Sequence, residues 1–419
     1  MISDDFHPIG YVYPLTLIQF CVALKLCSSV SFRAVNKIIV SMNVYFDCSF
    51  KTPSHATVLL WVKKYGLYQL SRDRQKADDW VVILDESVQF GQNKLLLVYG
   101  IRQSEIDFSR PLIFGDLAPL VLASRSSWTG EDIAGQLELL EAATGRIKYA
   151  VADHGNSIKK ALKTMGIYHV YDVTHCISLI VEHIYKNDPE FKGYTKRLAH
   201  LRGTQALGKM SHVLPPAQRA NARFMNLRPV SDWGIAVLNL LEKAPETLKR
   251  EKQNLEWVGG YKGLIGELAL LNQMVNESQL VLKTNGLCWE TVNKCLGILR
   301  KANTPRLLRF KDGLSKYLKE TMEDRPMKEP GRLLCSSDII ESAFGKYKNY
   351  IHSNPMVGIT NLSLSLAAFT GKLSREEMKD AFQTIRMENL RNWTTASIGQ
   401  TTLSKRLAVL KWDEKKNQN

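Results

Sequence analysis

Cysteine gives this sequence no covalent frame. Its seven cysteines, Cys21, Cys27, Cys48, Cys176, Cys288, Cys295 and Cys335, are odd in number and form no C-x-x-C pair. A secreted disulfide scaffold is thereby disfavoured, no standard zinc spacing is present, and a reducing cytoplasmic setting is expected. Long hydrophobic runs are absent too. The most apolar stretches, such as Val81–Leu84 and Leu95–Val98, are of strand length, far short of the ~20 residues that span a bilayer. No membrane partner is expected. The opening residues MISDDFHPIG are acidic, with no basic segment before an apolar core, so no secretory signal is predicted. Internal repeats and low-complexity tracts are missing, which excludes solenoid and fibrous architectures.

Acidic charge is the scarcer sign. Against 56 Lys and Arg stand 41 Asp and Glu, a net charge of +15 over 419 residues. A hydrophobic fraction of 45% is ordinary for a globular chain. The basic excess attracts polyanions, of which nucleic acid is the commonest. A length of 419 residues predicts two or three domains at ~100–200 residues each.

The first stretch of texture is helical. A helix is predicted at Leu15–Leu26, and a second behind the N-cap Ser31 with Phe32, Val35, Ile38 and Ile39 on one face. A third is predicted to open at Thr52-Pro53 and to end at a C-cap, Gly66, with Val58, Trp61 and Val62 buried. Lys63 and Lys64 near its end, followed by Arg72, Arg74 and Lys76, fit a helix-turn-helix DNA reader. A plain helical packing module fits the same pattern.

Strands follow. WVVILDES, LLLVYGI and PLVLASRSSW read as three strands, then TGEDIAGQLELLEAATG as a helix capped by Thr129 and ended by Gly145. IKYAVADHG is a fourth strand, NSIKKALKTMG a short helix, and IYHVYDVTHC a fifth strand. This order predicts an α/β ribonuclease H-like mixed sheet core. From about Ile177 to Lys328 the periodicity is helical, and a late helix opens near SSDIIESAFGKYKNY. The expected division is a DNA-binding region at 1–78, the first part of the core at 79–176, and a large all-α insertion at 177–332. The core is completed at 333–372, and a helical tail covers 373–419.

Three acids stand where this fold holds metal. Asp85 ends the first strand, Asp153 ends the fourth, and Glu341 lies in the first turns of the late helix. Hard carboxylate oxygens suit a pair of Mg²⁺ or Mn²⁺ ions, which together activate an attacking oxygen and stabilise a leaving one in phosphoryl transfer. Glu86 neighbours Asp85, but adjacent strand residues face opposite sides.

At these residues the chain resembles the DDE transposases, here of a bacterial-type insertion sequence. In that family an Asp closes the first strand, a second Asp follows the fourth, and a Glu opens a helix behind the sheet. The resemblance assigns Asp85, Asp153 and Glu341 as catalytic residues and metal ligands. Lys348 stands seven residues after the Glu (348 − 341), where the family often places a Lys or Arg, and with Lys346 it is expected to hold DNA phosphate. The separation between Asp85 and Asp153 is 68 residues (153 − 85), and between Asp153 and Glu341 it is 188 (341 − 153). The long second gap is similar to the helical insertion of hAT, Mutator-like and RAG-type recombinases. Asp172 and His175 match the supporting [CD]-x-x-H motif of those enzymes. The resemblance implies water attack that frees a 3′-OH, then attack of that hydroxyl on target DNA. It implies transposon ends and target duplex as partners, a homodimer on DNA, and a cytoplasmic protein bound to the nucleoid.

Other DNA contacts are expected from Lys63, Lys64, Arg72, Arg223 and Trp233. An indole at Trp233 can stack on a flipped base, although its shared periodicity with Ile235, Leu238 and Leu241 favours a core role. Each acid also has a plainer reading. Asp85 and Asp153 fit turn positions, Glu341 fits a capping box with Asp338, Lys348 fits a solvated helix face, and His175 fits a core histidine. Two alternatives remain open on sequence: a ribonuclease H-like nuclease without strand transfer, and a domesticated, non-catalytic DNA-binding protein.

Overall fold

Runs of consecutively buried residues make the central sheet. Strands β1 (Trp80–Glu86), β2 (Lys94–Arg102), β3 (Ala118–Arg125), β4 (Ile147–Ala152) and β5 (Tyr168–Tyr171) assemble in the order β3-β2-β1-β4-β5. β1 pairs antiparallel with β2 and parallel with β4, and β2 pairs antiparallel with β3. Three antiparallel strands, extended beside β1 by the parallel β4 and then by β5, make this the ribonuclease H-like mixed sheet. The computed structural model describes residues 6–87, 93–218, 224, 227–243, 245–326, 331–351 and 358–410.

The chain divides into two compact units, one of Met1–Asp107, Leu112–His169 and Ser337–Asn419, the other of Phe108–Pro111 and Val170–Ser336. In the first unit α4 (Gly130–Thr144) and α5 (Asn156–Met165) cover one sheet face. There Val82, Leu84, Leu96, Val98, Ala150 and Ala152 pack with Ile133, Leu137, Ile158 and Leu162. Thr129 caps α4 in a reciprocal box with Asp132, and Gly145 ends it at φ 97°. A Cβ at Gly145 would stand 2.2 Å from the Ala77 carbonyl oxygen, so glycine is required twice over there.

The same unit holds helices from both ends of the sequence. These are α1 (Leu15–Cys27), α2 (Phe32–Tyr45) and α3 (His55–Ser71) from the beginning. From the end come α13 (Asp338–Ile351), α14 (Leu364–Ala368), α15 (Arg375–Thr384), α16 (Met387–Trp393) and α17 (Thr402–Leu410). α13 packs on β1, α14 on β3 and α3, and α15 on α3 and α1. The Tyr99 hydroxyl, on β2, donates to the Leu366 carbonyl at 2.7 Å.

Two features of α3 depart from the sequence expectation. Its N-cap is Ser54, whose hydroxyl accepts from Thr57 N–H, not Thr52. Gly66 does not end the helix, which continues to Ser71. Gly66 is there because α14 lies against it: a Cβ would be 2.1 Å from the Leu364 carbonyl oxygen. Gly66→Ala is expected to destabilise the unit by at least about 2 kcal/mol, in the usual range for overpacking. Urea unfolding measures it, and an unchanged midpoint would remove close packing as the reason for this glycine.

The second unit is helical among its described residues: α6 (Val173–Tyr185), α7 (Pro189–Gln205), α8 (Arg228–Lys243), α9 (Lys249–Leu255), α10 (Lys262–Asn285), α11 (Trp289–Ile298) and α12 (Pro305–Glu323). α10 packs with α6, α8 and α11, and α12 with α6 and α11. Arg306 ties three segments together through Asp188 at 3.1 Å, Glu190 at 2.6 Å and Glu267 at 3.0 Å. Leu287 and Leu333 exchange backbone hydrogen bonds of 2.7 and 2.8 Å, closing the unit where the chain leaves it.

Candidate active site

Register brings two of the three acids together. Ile83 on β1 is level with Val151 on parallel β4, so two residues further on Asp85 is level with Asp153. Neighbouring strands lie about 4.8 Å apart, and side chains two residues apart share a face. Val82, Leu84, Ala150 and Ala152 belong to the α4–α5 core. Asp85 therefore projects to the opposite face, and the same alternation carries Asp153 there. α13 packs against β1 and, among the described residues, contributes nothing to the α4–α5 core. Asp85 and Asp153 are half-buried. The Asp153 carboxylate accepts from Gly155 N–H at 2.8 Å, which folds the loop after β4 back on itself. Glu86 faces away, as expected, in an ion pair with Lys94 at 3.5 Å.

Glu341 lies in the first turn of α13 and is exposed. The helix begins at Asp338, which makes Ser337 the residue before it. Ile340, Ala343, Phe344 and Tyr347 form the buried stripe of α13. At about 100° per residue, Glu341 and Lys348 fall about 20° apart on one flank of that stripe. Lys346 falls on the other flank. Among the described residues, no three His, Cys, Asp or Glu side chains are gathered tightly enough to hold an ion. Asp85 and Asp153 end neighbouring strands, and Glu341 lies on a helix packed against β1. Their chemistry suits a hard divalent cation, since all three are carboxylates.

Beside the acids, His154 and His169 meet ring to ring at 5.5 Å. Burial, with Lys159 and His169 nearby, lowers the His154 imidazole to about 4, so it is neutral at physiological pH.

The remaining expected residues are placed less uniformly. The [CD]-x-x-H match is a helix cap: Asp172 ends β5 and opens α6, contrary to a strand running on to Cys176. Its buried carboxylate accepts from His175 N–H at 2.8 Å and lies 3.0 Å from His175 Nδ1. Lys64 is buried, with its ammonium on the Tyr11 hydroxyl and ring. Burial lowers the pKa of both Lys63 and Lys64. Arg72 is paired with Glu377 at 2.9 Å. α3 leaves only His55, Ala56 and Ser71 well exposed, so its packing opposes a role as a groove-reading helix. Trp233 is half-buried and donates its indole N–H to the Val213 carbonyl at 3.1 Å. The buried residues of α8 are Val230, Ser231, Gly234 and Val237, while Ile235 is exposed. Arg223 lies outside the described residues.

One basic cluster escaped the sequence reading. Lys25, on α1, sits 3.6 Å from the Tyr350 ring centroid and 4.8 Å from that of Phe32. The only local hint was a lysine inside an apolar helix stripe. Among the described residues, no helix is long and apolar enough to cross a membrane. No family model matches the chain, and no curated protein matches it. Among solved structures, the chain is similar to the Drosophila P element transposase strand transfer complex. That match has 13% identity, covers 91% of this chain and 94% of the other, and has a TM-score of 0.44.

Proposed function

We propose that this chain is a DNA transposase: a metal-dependent enzyme that cleaves DNA strands at the ends of a mobile element and joins them to target DNA. The observation that supports it best is the position of Asp85 and Asp153 at the ends of adjacent parallel strands, with the helix bearing Glu341 packed against β1. Asp85 and Asp153 would hold the cation, with Glu341 as the third ligand. A divalent ion held by them activates the attacking oxygen and offsets charge on the leaving one.

The chain's own groups carry the rest. Gly155 N–H holds the Asp153 carboxylate in orientation, leaving its other oxygen for the ion. Lys348, on the flank of α13 that bears Glu341, positions a strand phosphate by charge. A net charge of +15 draws the duplex to the surface, and the protein acts on two DNA ends as a homodimer. One observation favours the non-catalytic alternative: Glu341 is exposed.

A strand-joining assay separates the readings. Duplex oligonucleotides with free 3′-OH ends, incubated with plasmid and Mg²⁺, are expected to become covalently attached to it. Nicked plasmid without joining would indicate a nuclease, and binding without either product the non-catalytic protein. Binding itself is expected to weaken steeply as salt rises, since each neutralised phosphate releases counterions. A salt-insensitive affinity would argue against a phosphate-backbone interface.

A further inference from the structure

We propose that a cavity between the α1–α2 turn and α13 is a cradle for a DNA backbone phosphate, one that anchors the duplex away from the carboxylates. This rests on the DNA-acting function above. The cavity measures about 370 Å³, and its wall includes Lys25, Ser29, Ser31, Phe32, Lys346 and Tyr350. No acidic residue lines it.

Its cations are interleaved with aromatic rings. Lys25 lies against Phe32 and Tyr350, and Lys346 lies 4.4 Å from the Phe114 centroid and 5.2 Å from that of Phe369. Phe32 meets Tyr350, Tyr350 meets Phe369, and Phe369 meets Phe114, at 6.1, 5.9 and 5.7 Å. Lys25 is only 4% exposed, and the one hydrogen bond of its ammonium among the described residues goes to the Val30 carbonyl at 2.9 Å. Neither ammonium has an acidic partner among the described residues. Ring faces attract a cation but do not neutralise it. A buried lysine without a counter-ion is costly to keep charged, and burial lowers this one to about 8. An anion entering the cavity removes that cost.

The chain offers such an anion further donors. α2 is 14 residues long, has no acid in its first turn, and starts at this wall. Its open N–H groups and positive dipole end favour phosphate oxygens. The Ser31 oxygen already accepts from Ala34 N–H at 3.1 Å, which leaves its own O–H to donate. Two lysines, a hydroxyl and a helix start make a phosphate site and read no base. That combination fixes the register of a duplex without choosing its sequence.

The position on α13 decides the role. Lys346 lies about 140° around the helix from Glu341. The cradle and the acids therefore flank α13 on opposite sides, separated by a helix width of about 10 Å. That is about three nucleotide steps at the ~3.4 Å rise of one strand. A phosphate held here sits beyond the scissile one, so the cradle positions DNA and takes no part in cleavage.

The test uses the full chain with Lys25→Met, which keeps the buried stem, and Lys346→Gln, which alters an exposed side chain. Affinity for a labelled mixed-sequence duplex is measured against salt concentration, with thermal unfolding confirming that each variant folds. Each variant is expected to lower affinity about tenfold at low salt and to make the log–log salt slope shallower by about 0.9, the value for one lost phosphate contact. A parallel titration with AMP is expected to show no binding that depends on Lys25 or Lys346. Folded variants with the wild-type slope would overturn the cradle while leaving the DNA reading intact. Lysine-dependent binding of AMP with unchanged duplex binding would make the occupant a free phosphomonoester and overturn the backbone assignment. Wild-type protein that binds no duplex would overturn both.

Discussion

Asp153→Asn is expected to abolish strand cleavage while leaving duplex binding within about twofold of wild type, because backbone binding rests on basic residues elsewhere. The substituted amide keeps an oxygen where the carboxylate accepts from Gly155 N–H at 2.8 Å, so the loop after β4 retains its fold. What disappears is the negative charge that holds a divalent cation. Charge stabilisation by a bound ion contributes several kcal/mol to phosphoryl transfer. With about 1.4 kcal/mol per factor of ten, the loss should reach at least about a thousandfold. Glu86→Gln is the matched control. Glu86 is one residue from Asp85 but on the other sheet face, in an ion pair with Lys94, and its neutralisation should leave cleavage near wild type. Cleavage of end-bearing DNA in Mg²⁺, with a chelator as the blank, reads both variants. Wild-type rates from Asp153→Asn would remove Asp153 from the metal site and leave only the DNA-binding role.

The sheet was legible in the sequence because its signals are local. Continuous runs of apolar strand residues, the Thr129 cap and the Gly145 terminator each occupy a few consecutive residues, and all occur as read. Asp85 and Asp153 were legible for the same reason, each closing a run of buried strand residues. The misreadings share one cause: contacts between residues distant in sequence. Gly66 looks like a helix end until α14 is found against it, 298 positions later (364 − 66). Lys64 looks like a DNA contact until Tyr11 receives it. The aromatic–lysine row collects residues from α1, α2, α13 and two further segments, and no local pattern announces it. Asp172 was misread locally. A strand-like run hid an N-cap, in which the Asp172 carboxylate accepts from His175 N–H.

The same dependence on distant contacts makes Glu377→Ala the stability variant with the largest expected effect. Its carboxylate, on α15, accepts from the Tyr65 hydroxyl at 2.7 Å, Gln69 Nε2 at 3.1 Å, Arg72 Nη1 at 2.9 Å and Lys372 N–H at 3.0 Å. Three of those donors belong to α3 or its C-cap, so one side chain fastens α3 to the C-terminal helices. Truncation leaves a buried hydroxyl, an amide and a guanidinium short of their acceptor, and is expected to cost about 3–5 kcal/mol, as for other half-broken buried pairs. Burial by itself would raise the Glu377 pKa, but hydrogen bonds from Tyr65 and Arg72, with the Arg72 charge, bring it below the usual value. A folded-state pKa that is depressed adds stability above the unfolded value of about 4.3, and that stability is lost as pH falls through the lower folded value. The gap between wild type and Glu377→Gln should therefore be constant from about pH 6 to pH 8 and narrow below about pH 4. Amide hydrogen exchange in α3 and α15 measures this contact directly, apart from other carboxylates that titrate with it. Protection in α3 that is equal in wild type and Glu377→Ala at pH 7 would show that the α3–α15 contact holds without this carboxylate.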